Sequence, residues 1–470
     1  MADRQAGDRM ISTTPALNKD LLVHDWYLIP ESYSAPLIEE ALNEYGLEPG
    51  QTVLDPFSGA GTTLLAASWM GMNAVGFEVN PFLCFAARVK LAHRLDAEGL
   101  SQEASRLLSR LERRLGKRED VPKVAEEPGP WRPQQAALFE DMQMPRLHRW
   151  ISPAVVQKVL VVKEEIAKVT NPRRRDFFRL ALAAILRPCS NMKLTPHAFG
   201  SREPKEDAPV LELFADKVNK MVADVEGARE AELAHGKAQV LNVDARYCKD
   251  AESDLLPADL AITSPPYLNN LDYTMQTRLE LFFLDFVRDM AELRAVRKRM
   301  VTCDAKAMYK DVPDSERVEP FHSIQSIAQR LRERHKGKNW GWDYSYMTTQ
   351  YFGGMHRVLE NVLTHLKPGA RFVLIVGESA HSGIKVPVPA ITGEMGEALG
   401  YALEEIRVRR VRRSSSHGFS LEESAVVLRK RSRPGARRPS GSFRTSSTTT
   451  WCTPTTCACR KGLANPIPYC

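Results

Sequence analysis

Residues 51–55 form a short apolar run ending in Asp55, a glycine-rich turn follows, and residues 62–70 carry apolar side chains at helical spacing. A second apolar run over 73–77 ends in Glu78, and 81–94 reads as the next helix. Strand, helix, strand and helix in this order predict an α/β fold with a doubly wound, mostly parallel sheet. From about 95 to 236 the alternation gives way to helical periodicity, with basic clusters at 106–118 and 173–175 and a polar, loop-like stretch around 195–207. This region is expected to be a helical insertion. Strand patterns resume at 238–243, just before Asp244, and at 259–263, just before Ser264-Pro265-Pro266-Tyr267. A second charged, largely helical insertion over 278–347 precedes a helix at 351–366, a turn at Lys367-Pro368-Gly369 and an apolar strand at 371–377. Residues 406–411 alternate apolar side chains with arginine and 424–428 are apolar, which predicts an antiparallel hairpin closing the sheet. The resulting plan is a flexible N-terminus (1–23), one α/β domain built from 24–94 and 237–430, the two insertions, and a disordered tail (431–470) poor in residues able to pack.

Composition narrows the class without changing this plan. The chain of 470 residues has 43% hydrophobic and 26% charged residues, as ordinary soluble proteins do, and no run reaches the roughly 18 apolar residues of a membrane span. No membrane partner is therefore expected. The polar first twenty residues lack the apolar core of a secretory signal, so the expected location is cytoplasmic. Cys84, Cys189, Cys248 and Cys303 are scattered singly, which suits a reducing compartment. Cys452, Cys457 and Cys459 lack zinc-ribbon spacing and a nearby histidine, so no metal is expected. The net charge of +7 permits a polyanionic partner without requiring one.

Two segments carry the chemistry. In Asp55-Pro56-Phe57-Ser58-Gly59-Ala60-Gly61-Thr62-Thr63 a strand enters a helix through a turn whose glycines allow close approach to a ligand, and Glu78 closes the next strand about twenty residues on, where a carboxylate can bind ribose hydroxyls. No Lys-Ser or Lys-Thr comes after the glycines, which excludes a triphosphate-cradling loop. Ser264-Pro265-Pro266-Tyr267 directly follows a strand and so falls at the same carboxyl edge of the sheet. Its prolines lack N–H groups and hold the backbone rigid, leaving carbonyl oxygens and the Ser264 hydroxyl to accept hydrogen bonds from an amino group, with Tyr267 offering a flat face.

These motifs resemble those of the amino-directed DNA methyltransferases, in which the DPFxGxGTT turn holds S-adenosyl-L-methionine and the SPPY loop holds the target base. The resemblance covers about half the chain, roughly 24–92, 238–284 and 350–430. It implies a Rossmann-like class I methyltransferase sheet. It also implies that Tyr33, Asp55, Phe57, Gly59, Gly61, Thr62, Glu78, Asn80 and Asp244 bind the cofactor, Asp244 near the adenine ring, while Ser264, Pro265, Pro266 and Tyr267 act on the base. DNA is the implied partner, with a cognate restriction endonuclease as a further one. The segments 271–273 and 278–281 are similar to the residues just after SPPY in several members. The long helical segment before Asp244 departs from the usual linear order, and either insertion is a candidate DNA-reading region. A serine heading the tetrapeptide favours N4 of cytosine over N6 of adenine. An RNA amino-methyltransferase of the same fold and an inactive DNA-binding relative are the rival readings. Because transfer to an amine is direct, no cysteine nucleophile is required.

Overall fold

Strand β1, Thr52–Asp55, is buried throughout and lies in the middle of the sheet, with side chains pointing alternately to its two faces. The computed structural model describes residues 13–116, 150–192, 205–250, 255–305, 308–337, 343–413 and 418–432. Apart from short 3₁₀ turns, the elements run α1 (Ala35–Glu44), β1, α2 (Thr62–Trp69), β2 (Asn73–Phe77), α3 (Pro81–Leu91), α4 (Ala97–Leu115), α5 (Pro153–Ala167), α6 (Pro172–Cys189), α7 (Val210–Glu230), β3 (Ala238–Leu241) and β4 (Ala258–Thr263). They continue with α8 (Tyr273–Gln276), α9 (Arg278–Phe283), α10 (Met290–Lys298), α11 (His322–His335), α12 (Tyr344–His365), β5 (Leu366–Gly377), β6 (Ser379–His381), β7 (Ile384–Val386), α13 (Val388–Ala398), β8 (Tyr401–Arg413) and β9 (Ser420–Lys430).

Seven strands form one sheet in the order β3-β2-β1-β4-β5-β9-β8. Neighbours from β3 to β5 are parallel, and β9 runs antiparallel to both β5 and β8. The α/β class and the closing hairpin are thus as the patterning implies. Strand order reverses between β1 and β4, so a crevice opens outside their carboxyl ends, at Asp55 and Thr263. Val53, Ala74, Leu260, Ile262 and Val373 pack one face of the sheet against α1 and α2. Leu54, Val75, Phe77, Phe372 and Leu374 pack the other against α12 and α13.

The helices of the first insertion share a third core with α3 and α9, and the chain through Arg431 forms one compact unit, so this region is an extension of the α/β body. Its basic clusters are partly internal. Arg110 and Arg114 bind Glu165 at 2.9 Å each, and Arg174 binds Asp96 at 3.0 Å.

Three expectations need correction. The N-terminal segment is ordered from Thr13 onward, because the buried Asn18 donates to the Tyr33 carbonyl at 2.9 Å and accepts from the Ala35 N–H at 2.7 Å. Asp224 likewise accepts from the Val23 N–H and the Trp26 indole at 3.0 and 2.9 Å. Helix α12 starts at Tyr344, with the Asp343 side chain capping it, since its buried first turns carry Ser345, Thr348, Thr349 and Gln350, which hide the apolar period. Lys367-Pro368-Gly369 is a bulge inside β5: Ala258 pairs with Leu366 but Leu260 pairs with Arg371, so β5 gains three residues over β4. The expected polar loop at 195–207 is described only from 205, and the tail beyond 432, with Cys452, Cys457 and Cys459, lies outside the described residues.

Gly61 joins the turn to α2 at φ +87°, and a Cβ there would lie 2.9 Å from the Ala87 Cβ on α3. Its freedom therefore serves the contact between α2 and α3. Gly61→Ala should cost about 2 kcal/mol or more, from left-handed strain and overlap together; an unchanged urea midpoint would contradict this packing role.

Candidate functional site

The turn after β1 is shaped by the strand beside it. The Ser58 N–H and hydroxyl both donate to the Phe77 carbonyl at the end of β2, at 3.0 and 3.2 Å, which brings Gly59 against Glu78. Glu78 accepts from the Gly59 N–H at 2.9 Å and the Asn80 N–H at 2.7 Å. Burial pushes its pKa up to about 7 against the pull of those two N–H groups. Asn80 then caps α3, accepting from the Phe82 N–H at 3.1 Å, while its amide donates to the Thr277 hydroxyl at 2.8 Å. A cofactor role expected of Asn80 therefore coincides with a capping role.

A cleft of about 920 Å³, its open mouth included, lies at this edge of the sheet. Of the residues expected to act, Tyr33, Phe57, Gly59, Thr62, Glu78, Asn80, Asp244, Ser264, Pro265 and Pro266 line it. Glycine turn, second acid and proline loop therefore converge on one space, although Glu78 and Ser264 are far apart in sequence.

Three expected residues stand behind the wall. Asp55 is 1% exposed, and its carboxylate takes four protein donors: the Phe57 N–H at 3.0 Å and the hydroxyls of Tyr33 at 2.8 Å, Thr63 at 2.5 Å and Thr263 at 2.6 Å. Burial pushes its pKa up while the hydroxyls of Thr263, Thr63 and Tyr33 draw it down. Gly61 faces α3 through its contact with Ala87. The Tyr267 ring lies against Gly377 at the end of β5, where a Cβ would come within 3.2 Å of it. Its hydroxyl accepts from Ser264 at 3.5 Å, and its N–H donates to the Tyr273 hydroxyl at 3.2 Å. Burial, then the charge of Glu423, push the Tyr267 phenol well above its usual range.

Asp244 lines the cleft, yet its carboxylate also grips Arg246, whose Nη2 is 2.8 Å away. Arg246 in turn reaches Asp314 at 2.6 Å, and Asp314 binds Arg357 at 2.7 Å, a buried network with no signal in the residue pattern. Sequence reasoning also missed Ile29, Glu31, Tyr273, Arg299, Met300 and Val301 in the wall. Ile29 and Glu31 lie within the segment preceding the glycine turn and were accessible to that resemblance. Residues 299–301 sit in a charge-rich stretch with no motif to distinguish them.

The lining fits a nucleoside-bearing cofactor. Glu78 spends two acceptor sites on N–H groups and has others to offer, as ribose hydroxyls require, and Phe57, Leu83, Val243, Met300 and Val301 give apolar surface for a ring. Pro188-Cys189, a Pro-Cys pair, closes α6 outside this lining, its thiol buried and raised to about 11 by that burial. It has no place in the chemistry of the cleft.

A family model described as DNA methylase, of the N6/N4 type, matches residues 19–88, from the segment before α1 through the glycine turn and Glu78 into α3. The chain is 23% identical over 451 residues to the type II methyltransferase M.BsoBI of Geobacillus stearothermophilus, covering 88% of this chain and 85% of that protein. It is 24% identical over 452 residues to M.AvaI of Anabaena variabilis, covering 88% and 86%. Over 69 residues it is 36% identical to M.MjaII of Methanocaldococcus jannaschii, 15% of this chain and 13% of that one.

Glu78 gives a pH signature independent of any ligand. Its folded pKa of about 7 exceeds the ordinary carboxyl value of 4.5, so the folded protein holds a proton that the unfolded chain has released between these values. Stability from this group therefore falls as pH rises from about 4.5 to about 7. Glu78→Gln should gain stability relative to the native protein across that window and level off above it; a difference independent of pH in denaturant titrations would contradict the assignment.

Proposed function

We propose, for a chain of the amino-directed DNA methylase family, that it transfers a methyl group from S-adenosyl-L-methionine to N4 of cytosine in DNA. The observation that carries this reading is the single cleft at the β1/β4 reversal, walled by Gly59 and Glu78 on one side and by Ser264, Pro265 and Pro266 on the other. When bound, the cofactor supplies an electrophilic methyl group on a sulfonium. Glu78 would accept hydrogen bonds from its ribose hydroxyls, and Val243, Asp244, Met300 and Val301 would hold the adenine.

A base must leave the duplex to reach such a cleft. Ser264 and the Pro265 carbonyl then accept hydrogen bonds from its amino group. An aromatic amine is a poor nucleophile because its lone pair is delocalised into the ring. Accepting its N–H bonds localises the pair and aims it, so positioning and electrostatics carry the catalysis. Tyr267 supports this geometry from behind by holding the Ser264 hydroxyl. Cytosine is favoured because a serine rather than an acid heads the tetrapeptide, which the resemblance associates with N4 of cytosine. The same reading puts the chain in the cytoplasm with its DNA and a cognate restriction endonuclease.

The decisive experiment is expression in a host lacking DNA methylation, followed by digestion of DNA to nucleosides and their separation by mass. N4-methylcytosine is expected. N6-methyladenine as the sole product would overturn the choice of base, and methylation of RNA alone would overturn the choice of substrate. Ser264→Ala should keep its cofactor affinity by calorimetry and lose turnover by about 10²-fold or more, as removal of one preorganised group does elsewhere; full turnover would sink the proposed role of the loop.

A further inference from the structure

Arg278 differs from the other inner arginines. Arg246 and Arg297 each bind a carboxylate, Asp244 and Asp272 respectively, and Arg110 binds Glu165. Arg278 is half-buried, and its Nε is fully buried without a partner among the described residues. Its guanidinium lies over the Trp150 ring, 4.9 Å from the centroid. Asp272, whose charge acts on it, is engaged elsewhere: it accepts from the Thr274 N–H and hydroxyl at 2.9 and 2.6 Å and pairs with Arg297. Withdrawing a guanidinium from water in this way is costly unless an anion compensates it.

Both walls of this arrangement are fixed. Trp150 is held by its carbonyl, which accepts from the Asn191 N–H at 2.7 Å. Arg278 follows Thr277, whose hydroxyl accepts from Asn80, a residue of the cleft wall. Arg278 therefore stands one residue from a contact with the cofactor-side motif and eleven residues after Tyr267 of the proline loop. A planar fork over an indole, its Nε–H without a partner among the described residues, is preorganised for a tetrahedral oxyanion.

We infer that Arg278, stacked on Trp150, binds a backbone phosphate of the substrate strand beside the extruded nucleotide. The inference rests on the proposed DNA substrate and gives it a phosphate contact. In duplex DNA the phosphates are the anions available to such a fork. Those flanking an extruded base are also the ones brought closest to the cleft mouth. A contact of this kind positions the strand without reading its sequence.

The test uses the full-length protein and a fluorescent duplex of mixed sequence, about 30 base pairs long, with anisotropy read between about 50 and 200 mM salt. Arg278→Gln should weaken binding about tenfold at the lower salt and reduce the slope of log affinity against log salt by about one. Arg278→Lys, which keeps the charge but not the fork, should retain the slope and bind with intermediate affinity. Calorimetry with S-adenosyl-L-methionine checks that each variant is folded and that its cofactor affinity is unchanged. An Arg278→Gln variant that binds cofactor and shows the native salt slope would overturn the phosphate contact and leave the methyltransferase reading standing. Native protein that binds RNA of the same length but not the duplex would overturn both.

Discussion

The Asp55 carboxylate is the constraint on which the site depends. It ends β1, and its four donors come from the segment before α1, from the glycine turn, from α2 and from the end of β4. One buried anion thereby fixes the relative position of four segments that shape the cleft. Its charge is tolerable only because all four hydrogen bonds are made, for an unmet lone pair at 1% exposure would carry the full desolvation cost. The acid of the DPF turn thus holds the site from behind, while Glu78, with fewer internal partners, lines the cleft. Two carboxylates at the ends of neighbouring strands do different work because their donors differ in number.

The fold was largely legible because its signals are local. Apolar runs, a glycine turn and the Asn80-Pro81 cap announce β1, α2, β2 and α3 within a few residues, since backbone rules act over that range. The convergence of Glu78 and Ser264 followed from strand order, which the alternation of strands and helices implies. The roles of Asp55, Gly61 and Tyr267 were not legible, because which side of a wall a side chain faces depends on neighbours distant in sequence. Gly61 owes its identity to Ala87, and the Tyr267 ring its place to Gly377. Residues 299–301 were invisible for a related reason: in a run of charges, the three that touch the cleft have no local mark.

Charge in this chain does two separate kinds of work. Several arginines of the insertions close ion pairs between elements, as Arg110, Arg114 and Arg174 do, so a basic composition overstates the surface free to meet a polyanion. Lys90 is an extreme case: wholly buried, it donates to the carbonyls of His24 and Tyr27 at 2.9 and 2.7 Å, and burial draws its pKa down to about 7. It anchors the segment leading to Ile29 and Tyr33, both in the cleft wall. A count of basic residues could not have separated such anchors from groups that face outward.

The pairing of β1 with β4 has a consequence for biosynthesis. Thr263, which completes the shell of Asp55, lies 208 residues further along the chain. At roughly 5–20 residues per second, a ribosome takes about 10–40 s to deliver it. Throughout that interval β1 is an apolar strand with one open edge, the arrangement most prone to pair with a neighbouring chain. The intervening helices α4–α7 share their own core with α3, so they can consolidate beside the waiting half-sheet. The ligand cleft is consequently assembled only after more than half of the chain has been made, and a nascent chain cannot use its cofactor to stabilise early folding.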